Sequence, residues 1–154
     1  RAAAPGLPLC LGEGSVGKLP TIEALLLLSL DGWRIYRSLA RRQQGNGRRG
    51  REERGGTLSE LAEAKRVQAR KLSAAHFLIS GRDHAAPPTD APVFRSLPLA
   101  LRERYQAEQL AAAQFLAAAN ASADPCLMEL YRALALEDQL HAKMLRDLLV
   151  RMQG

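Results

Sequence analysis

Three long stretches of this chain repeat apolar residues at helical spacing, yet near its middle each seam is broken by charged or amide side chains. One seam reads Leu58, Leu61, Lys65, Gln68, Leu72, Ala75 and Ile79. A second reads Leu101, Tyr105, Glu108, Ala112, Phe115 and Ala119, and a third Leu127, Leu130, Leu134, Glu137, His141, Met144 and Leu148, with Asp138 beside it. Apolar residues recurring every three or four positions mark amphipathic helices. Unpaired charge on the inward face of such a helix is expensive. The chain can therefore fold only if these polar groups meet at similar heights and satisfy one another inside one bundle.

Start and stop signals divide the chain into four helices. Residues 1–19 hold Pro5, Pro8 and several glycines without periodicity, and are expected to be a flexible N-terminal lead-in to a domain spanning 20–153. Thr21 is expected to cap the first helix, with an inward stripe of Ile22, Leu25, Ser29, Gly32, Tyr36 and Leu39, stopped after about Gln44 by Gly45 and Gly47. Thr57-Leu-Ser-Glu60 fits a capping box for the second helix, which ends at Ser80 before Gly81. Pro87, Pro88 and Pro92 keep the next segment irregular. Ser96 with Pro98 opens the third helix, ending near Ala119, and Asp124-Pro125 opens the fourth, which reaches about Met152. Such helices are about 35–40 Å long. The connection of about 15 residues between the second and third reaches about 50 Å if extended, enough to cross a bundle from end to end. Up-down-up-down order is the alternative. The expected class is all-α.

Composition narrows the function. The net charge of +6 is carried mainly by Arg, with Arg41, Arg42, Arg48, Arg49, Arg51 and Arg54 gathered in a Gly-rich stretch that also holds Glu52 and Glu53. Without interleaved aromatics to stack bases, that run reads as a solvated connector, and nucleic acid is not the expected partner. The apolar run from Ile22 to Leu30 is too short to span a bilayer, so no membrane role is expected. No complete secretory signal is evident. Cys10 and Cys126 define neither a disulfide framework nor a metal knuckle, so a reducing cytoplasmic setting is the default expectation.

The segments LSELAEAKRVQARKLSAAHFLISG (58–81), YQAEQLAAAQF (105–115) and LALEDQLHAKML (134–145) resemble the ferritin-like superfamily, and within it the rubrerythrin-type proteins, over about residues 20–152. The resemblance implies an antiparallel four-helix bundle with a long crossover between helices two and three, and a homodimer. It also implies a di-iron or di-manganese centre for peroxide reduction or iron handling. In such bundles two helices each supply a Glu and the other two a Glu-x-x-His pair. Carried onto this chain, Glu108 matches the lone carboxylate of helix three and His141 the histidine of helix four. The Glu three residues before that His falls on Asp138, with Glu137 adjacent. On helix two the Glu-x-x-His pair falls on Lys65 and Gln68, and on helix one the carboxylate falls on Ser29, with Asp31 close by.

Half of the ligand set is thus replaced. Two readings follow: Glu108, Asp138 and His141, with Glu137 and Asp31, hold a single iron, manganese or zinc ion, or no ion binds and the Lys65 amine replaces the metal's charge. An active di-metal oxidoreductase and a non-catalytic helical scaffold or dimerisation module are the alternatives. Gly12 to Lys18 fits the first seven positions of a phosphate loop but lacks the final Ser or Thr, Leu19 standing there, and is read as a chance match. His76 and His84 are read as ordinary surface or packing residues.

Overall fold

The computed structural model describes residues 10–43, 49–90 and 92–153. Four α-helices carry the described chain: α1 (Leu19–Arg42), α2 (Arg49–Ser80), α3 (Leu97–Ala121) and α4 (Pro125–Gln153), preceded by a short 3-10 helix, Glu13–Lys18. No strand occurs among the described residues, and none of their helices is long and apolar enough to cross a membrane. The chain is an all-α helical bundle.

Most helix ends follow the local chemistry. Ser96 Oγ accepts the Leu99 amide at 3.3 Å and opens α3. Asp124 Oδ1 accepts the amides of Cys126 and Leu127 at 2.9 and 3.3 Å, capping α4. Gly81 follows α2 with φ +73°, a left-handed conformation that favours glycine. Two starts differ from expectation. Helix α1 begins at Leu19, with Pro20 in its first turn, rather than after Thr21. Helix α2 begins at Arg49, two turns before the Thr57 capping box, so part of the Arg- and Gly-rich stretch read as a connector is helical. A capping box stabilises a helix start only where the preceding backbone leaves the helix. Here the helix continues through Gly55 and Gly56, and a Cβ on Gly55 would lie 3.2 Å from Gln43 Cβ at the end of α1. The stops expected at Gln44, Gly45 and Gly47 lie outside the described residues.

Helix α1 packs chiefly on α2, and α3 on α4. Two apolar clusters fill the interior. One joins Ile22 and Leu25 of α1, Leu72 and Ile79 of α2, Phe115 and Ala119 of α3, and Leu127 and Tyr131 of α4. The other joins Tyr36 and Leu39, Leu58 and Leu61, Ala100 and Leu101, and Leu145 and Leu148. The polar interruptions lie in the sequence between the two sets. The segment between α2 and α3 touches α1 at successive points: His84 beside Glu23, Thr89 bonded to Arg34, and Phe94 under the Arg42 guanidinium.

The lead-in departs most from expectation. Residues 1–9 lie outside the described residues, but from Cys10 onward the segment is docked rather than flexible. Cys10 and Cys126, read as defining no disulfide framework, are bonded to each other, with Cα atoms 5.3 Å apart. Asp124 Oδ2 accepts the Leu11 amide at 2.6 Å and the Ser15 hydroxyl at 2.8 Å. Burial opposes the Asp124 charge, but these bonds outweigh it and lower its pKa. Lys18, the lysine of the phosphate-loop match, donates instead to the Ala121 carbonyl at 2.8 Å, on the last turn of α3.

Candidate functional site

Between the two apolar clusters Ser29, Lys65, Gln68, Glu108, Asp138 and His141 come together, all at most 5 % exposed. Lys65 is the hub. Its Nζ lies 2.6 Å from Glu108 Oε1, 2.7 Å from Asp138 Oδ1 and 3.3 Å from Gln68 Oε1. The Glu108 contact is off the line of a good hydrogen bond, and its attraction is ionic rather than directional. Gln68 Nε2 donates to Asp138 Oδ1 at 2.7 Å and to Glu137 at 3.3 Å, while its Oε1 lies 3.5 Å from the Ser29 hydroxyl. Lys65 and Gln68 are therefore both engaged with the carboxylates of the cluster.

Room for the lysine stem comes from α1. A Cβ on Gly32 would lie 3.2 Å from Lys65 Cγ and Cδ and 3.1 Å from Arg104 Nη2. Arg104, one turn before Glu108 on α3, extends the cluster. Its Nη2 lies 3.2 Å from Glu108 Oε2, and its guanidinium stacks 4.8 Å from the Tyr36 ring centroid. The Tyr36 hydroxyl donates to the same carboxylate oxygen. Sequence reading placed Tyr36 inside without giving it a partner, and missed Arg104 altogether. The available signal was the i, i+4 spacing of Arg104 and Glu108 on one helix face.

The charges balance: Lys65 and Arg104 against Glu108 and Asp138. Burial pushes the Glu108 carboxyl up, but contact with His141 and the Lys65 and Arg104 charges outweigh it and hold the group well below the usual carboxylate range. Burial likewise opposes charge on His141, yet Asp138 and Glu108 beside its ring raise its pKa. Tyr36 is held protonated, its pKa raised chiefly by burial. His141 Nδ1 lies 3.4 Å from Asp138 Oδ1 and 3.5 Å from Glu108 Oε1 without a well-formed hydrogen bond, and Asp138 Oδ2 has no hydrogen-bond partner.

Glu137 and Asp31 do not join the centre. Helix α4 turns Asp138 inward and leaves Glu137 half-buried at the rim, holding only the Gln68 amide. Asp31 pairs with Arg34 at 3.3 Å, its side chain 40 % exposed. A carboxylate two residues from Ser29 is rotated by about 200° around the helix at 3.6 residues per turn, so it faces away from the interior.

Glu108, Asp138 and His141 each place a ligand atom within 4.8 Å of the others, as a metal site would require. The full set does not fit a resident ion. The Lys65 ammonium already lies against one oxygen of each carboxylate, and a divalent cation there would face that positive charge at close range. The buried neighbours Ser29, Lys65 and Gln68 add no carboxylate or imidazole to these three ligands, so a two-metal centre fits less well still.

No protein-family model matches this chain, and no curated protein or solved structure does.

Proposed function

We propose that this chain is a ferritin-like bundle of the rubrerythrin type whose metal centre has become a metal-free ion-pair core, and that it serves as a non-catalytic helical scaffold. The observation that carries this reading is the Lys65 amine between Glu108 and Asp138, supplying the positive charge that an ion would otherwise bring. The crossover connection is supported by the membership of the two cores: the end of α2 shares a cluster with the start of α1, and the start of α3 belongs to the other. Redox chemistry by a di-metal pair is not part of the proposal, because half of the ligand set has been exchanged for groups that already occupy the remaining half.

A homodimer is the expected assembly. The exposed Leu136 and Leu140, one turn apart on α4, offer it an apolar contact, and sizing chromatography measures it. Structural disulfides belong mostly to oxidising compartments. The Cys10–Cys126 bond thus removes the basis for the cytoplasmic expectation.

The test of the core is elemental analysis. After loading with iron or manganese and desalting, wild-type protein and an Asp138→Asn variant should carry the same metal content. One equivalent of iron or manganese lost on that substitution would restore the metal-binding reading and refute ours.

A further inference from the structure

A second cluster of ligating side chains lies near the first apolar core, well outside the ion-pair centre. Glu23 stands on the first turns of α1, His76 on the last turns of α2, and His84 in the segment after it. His76 Nε2 lies 2.7 Å from Glu23 Oε2, and His84 Nδ1 lies 3.9 Å from the same oxygen. The two imidazoles have centroids 4.9 Å apart with planes inclined at 31°. All three ligand atoms fall within 4.8 Å of one another.

Both nitrogens of His76 have polar partners. Ser80 Oγ donates its single hydrogen to the Arg82 carbonyl at 2.9 Å and accepts the Arg82 amide at 3.1 Å. The same hydroxyl lies 3.3 Å from His76 Nδ1, so it meets the inner nitrogen of the ring while Nε2 faces Glu23. Nε2 and the carboxylate oxygen stand 2.7 Å apart, the distance of a hydrogen bond, and a cation taking the place of the shared hydrogen would be bound by both atoms. Metal-ligating histidines commonly hold their second nitrogen in this way, through a hydrogen bond to an outer partner that fixes tautomer and ring orientation.

We propose that Glu23, His76 and His84 form a surface site for a zinc-class divalent cation, held by two imidazoles and one carboxylate with the fourth position open to water. That donor set suits zinc and neighbouring first-row metals rather than magnesium or calcium. Three protein ligands with one open position is the arrangement of accessible zinc sites. Bond lengths of about 2.0–2.2 Å place tetrahedral ligand atoms about 3.3–3.5 Å apart. Reaching that spacing opens the His76–Glu23 contact by about 0.6–0.8 Å and closes the His84–Glu23 contact by about 0.4–0.6 Å. Side-chain exposure rises from 7 % at His76 through 23 % at His84 to 39 % at Glu23, so the site is anchored on a buried ligand and open on one side. Since α1, α2 and the following segment each give one ligand, an ion here would tie that segment to the bundle.

Zinc titration of chelator-treated protein, followed by calorimetry, tests the site. Saturable binding of one equivalent is expected. Glu23→Gln and His84→Ala should each weaken it by about tenfold or more, while His141→Asn leaves it unchanged. Cobalt in place of zinc should give the intense visible bands of a tetrahedral site, absent in His84→Ala. His84 lies in an irregular segment, and an unchanged helical circular dichroism spectrum of its variant separates ligand loss from unfolding. Absence of saturable binding, or binding that survives His84→Ala intact, would overturn the proposal. So would binding lost equally in the His141 variant. Loss in the His141 variant would also bear on the ion-pair core; the other outcomes do not, and the core's own test turns on Asp138.

Discussion

Replacing Lys65 by Met removes the ammonium but keeps most of the stem that fills the space beside Gly32. The consequence differs for the two carboxylates. Glu108 retains Arg104 and Tyr36 on its second oxygen, whereas Asp138 keeps only the Gln68 amide and the imperfect contact with His141. Asp138 is therefore the stranded charge. Breaking a buried pair in this way costs about 3–5 kcal/mol, against a total stability of about 5–15 kcal/mol for a single domain. With a urea slope of about 2 kcal/mol/M, the unfolding midpoint should fall by roughly 1.5–2.5 M. One control isolates the cause. Adding Asp138→Asn to Lys65→Met should recover much of the loss, because the stranded charge is gone. Lys65→Ala should be more destabilising still, having lost the stem as well. A Lys65→Met variant within about 0.5 kcal/mol of wild type, the range of ordinary surface substitutions, would refute the reasoning.

Three further outcomes are expected. Gly32→Ala should destabilise by about 1–3 kcal/mol through overpacking against Lys65 and Arg104; an unchanged denaturation midpoint would contradict the close approach of α1. Reduction of the disulfide, which spans 116 positions, should lower stability by about 2–4 kcal/mol. Melts with and without reductant should separate for wild type and coincide for Cys10→Ser. His141 has its pKa raised on folding, so its contribution is fully present below its unfolded value of about 6.5 and is lost as pH rises through the higher folded value. The stability difference between wild type and His141→Asn should accordingly narrow as pH rises above about 6.5; a constant difference would mean that the ring does not change charge against Asp138 and Glu108.

How far the chain could be read in advance depended on whether a signal was periodic or only spatial. The seam of α2 was legible residue by residue, because all seven positions from Leu58 to Ile79 recur at helical spacing and all are buried. On α4 the same periodicity left Glu137 and Asp138 both eligible, being 100° apart on the helix, and packing against Gln68 and Lys65 decided between them. The capping box at Thr57 misled because its local preference was outweighed by continuing helix. Contacts between residues remote in sequence had no pattern to betray them: Cys10 with Cys126, Asp124 with Leu11 and Ser15, and Glu23 with His76 and His84. Each pairs residues at least 53 positions apart, through short-range chemistry that any exposed Cys, Asp or His could offer.

The bond from Cys10 to the first turn of α4 also bears on how copies of this chain can associate. Paired helices joined by one long connection are prone to trade partners, the front pair of one molecule packing on the rear pair of another. Here only eight residues separate Cys10 from the start of α1, and the far end of that tether is fixed to α4 of the same molecule. The front pair cannot depart without breaking a covalent bond. Oxidised protein should therefore associate through the outer faces of complete bundles, and exchange of helix pairs becomes open to it only after the cysteines are reduced.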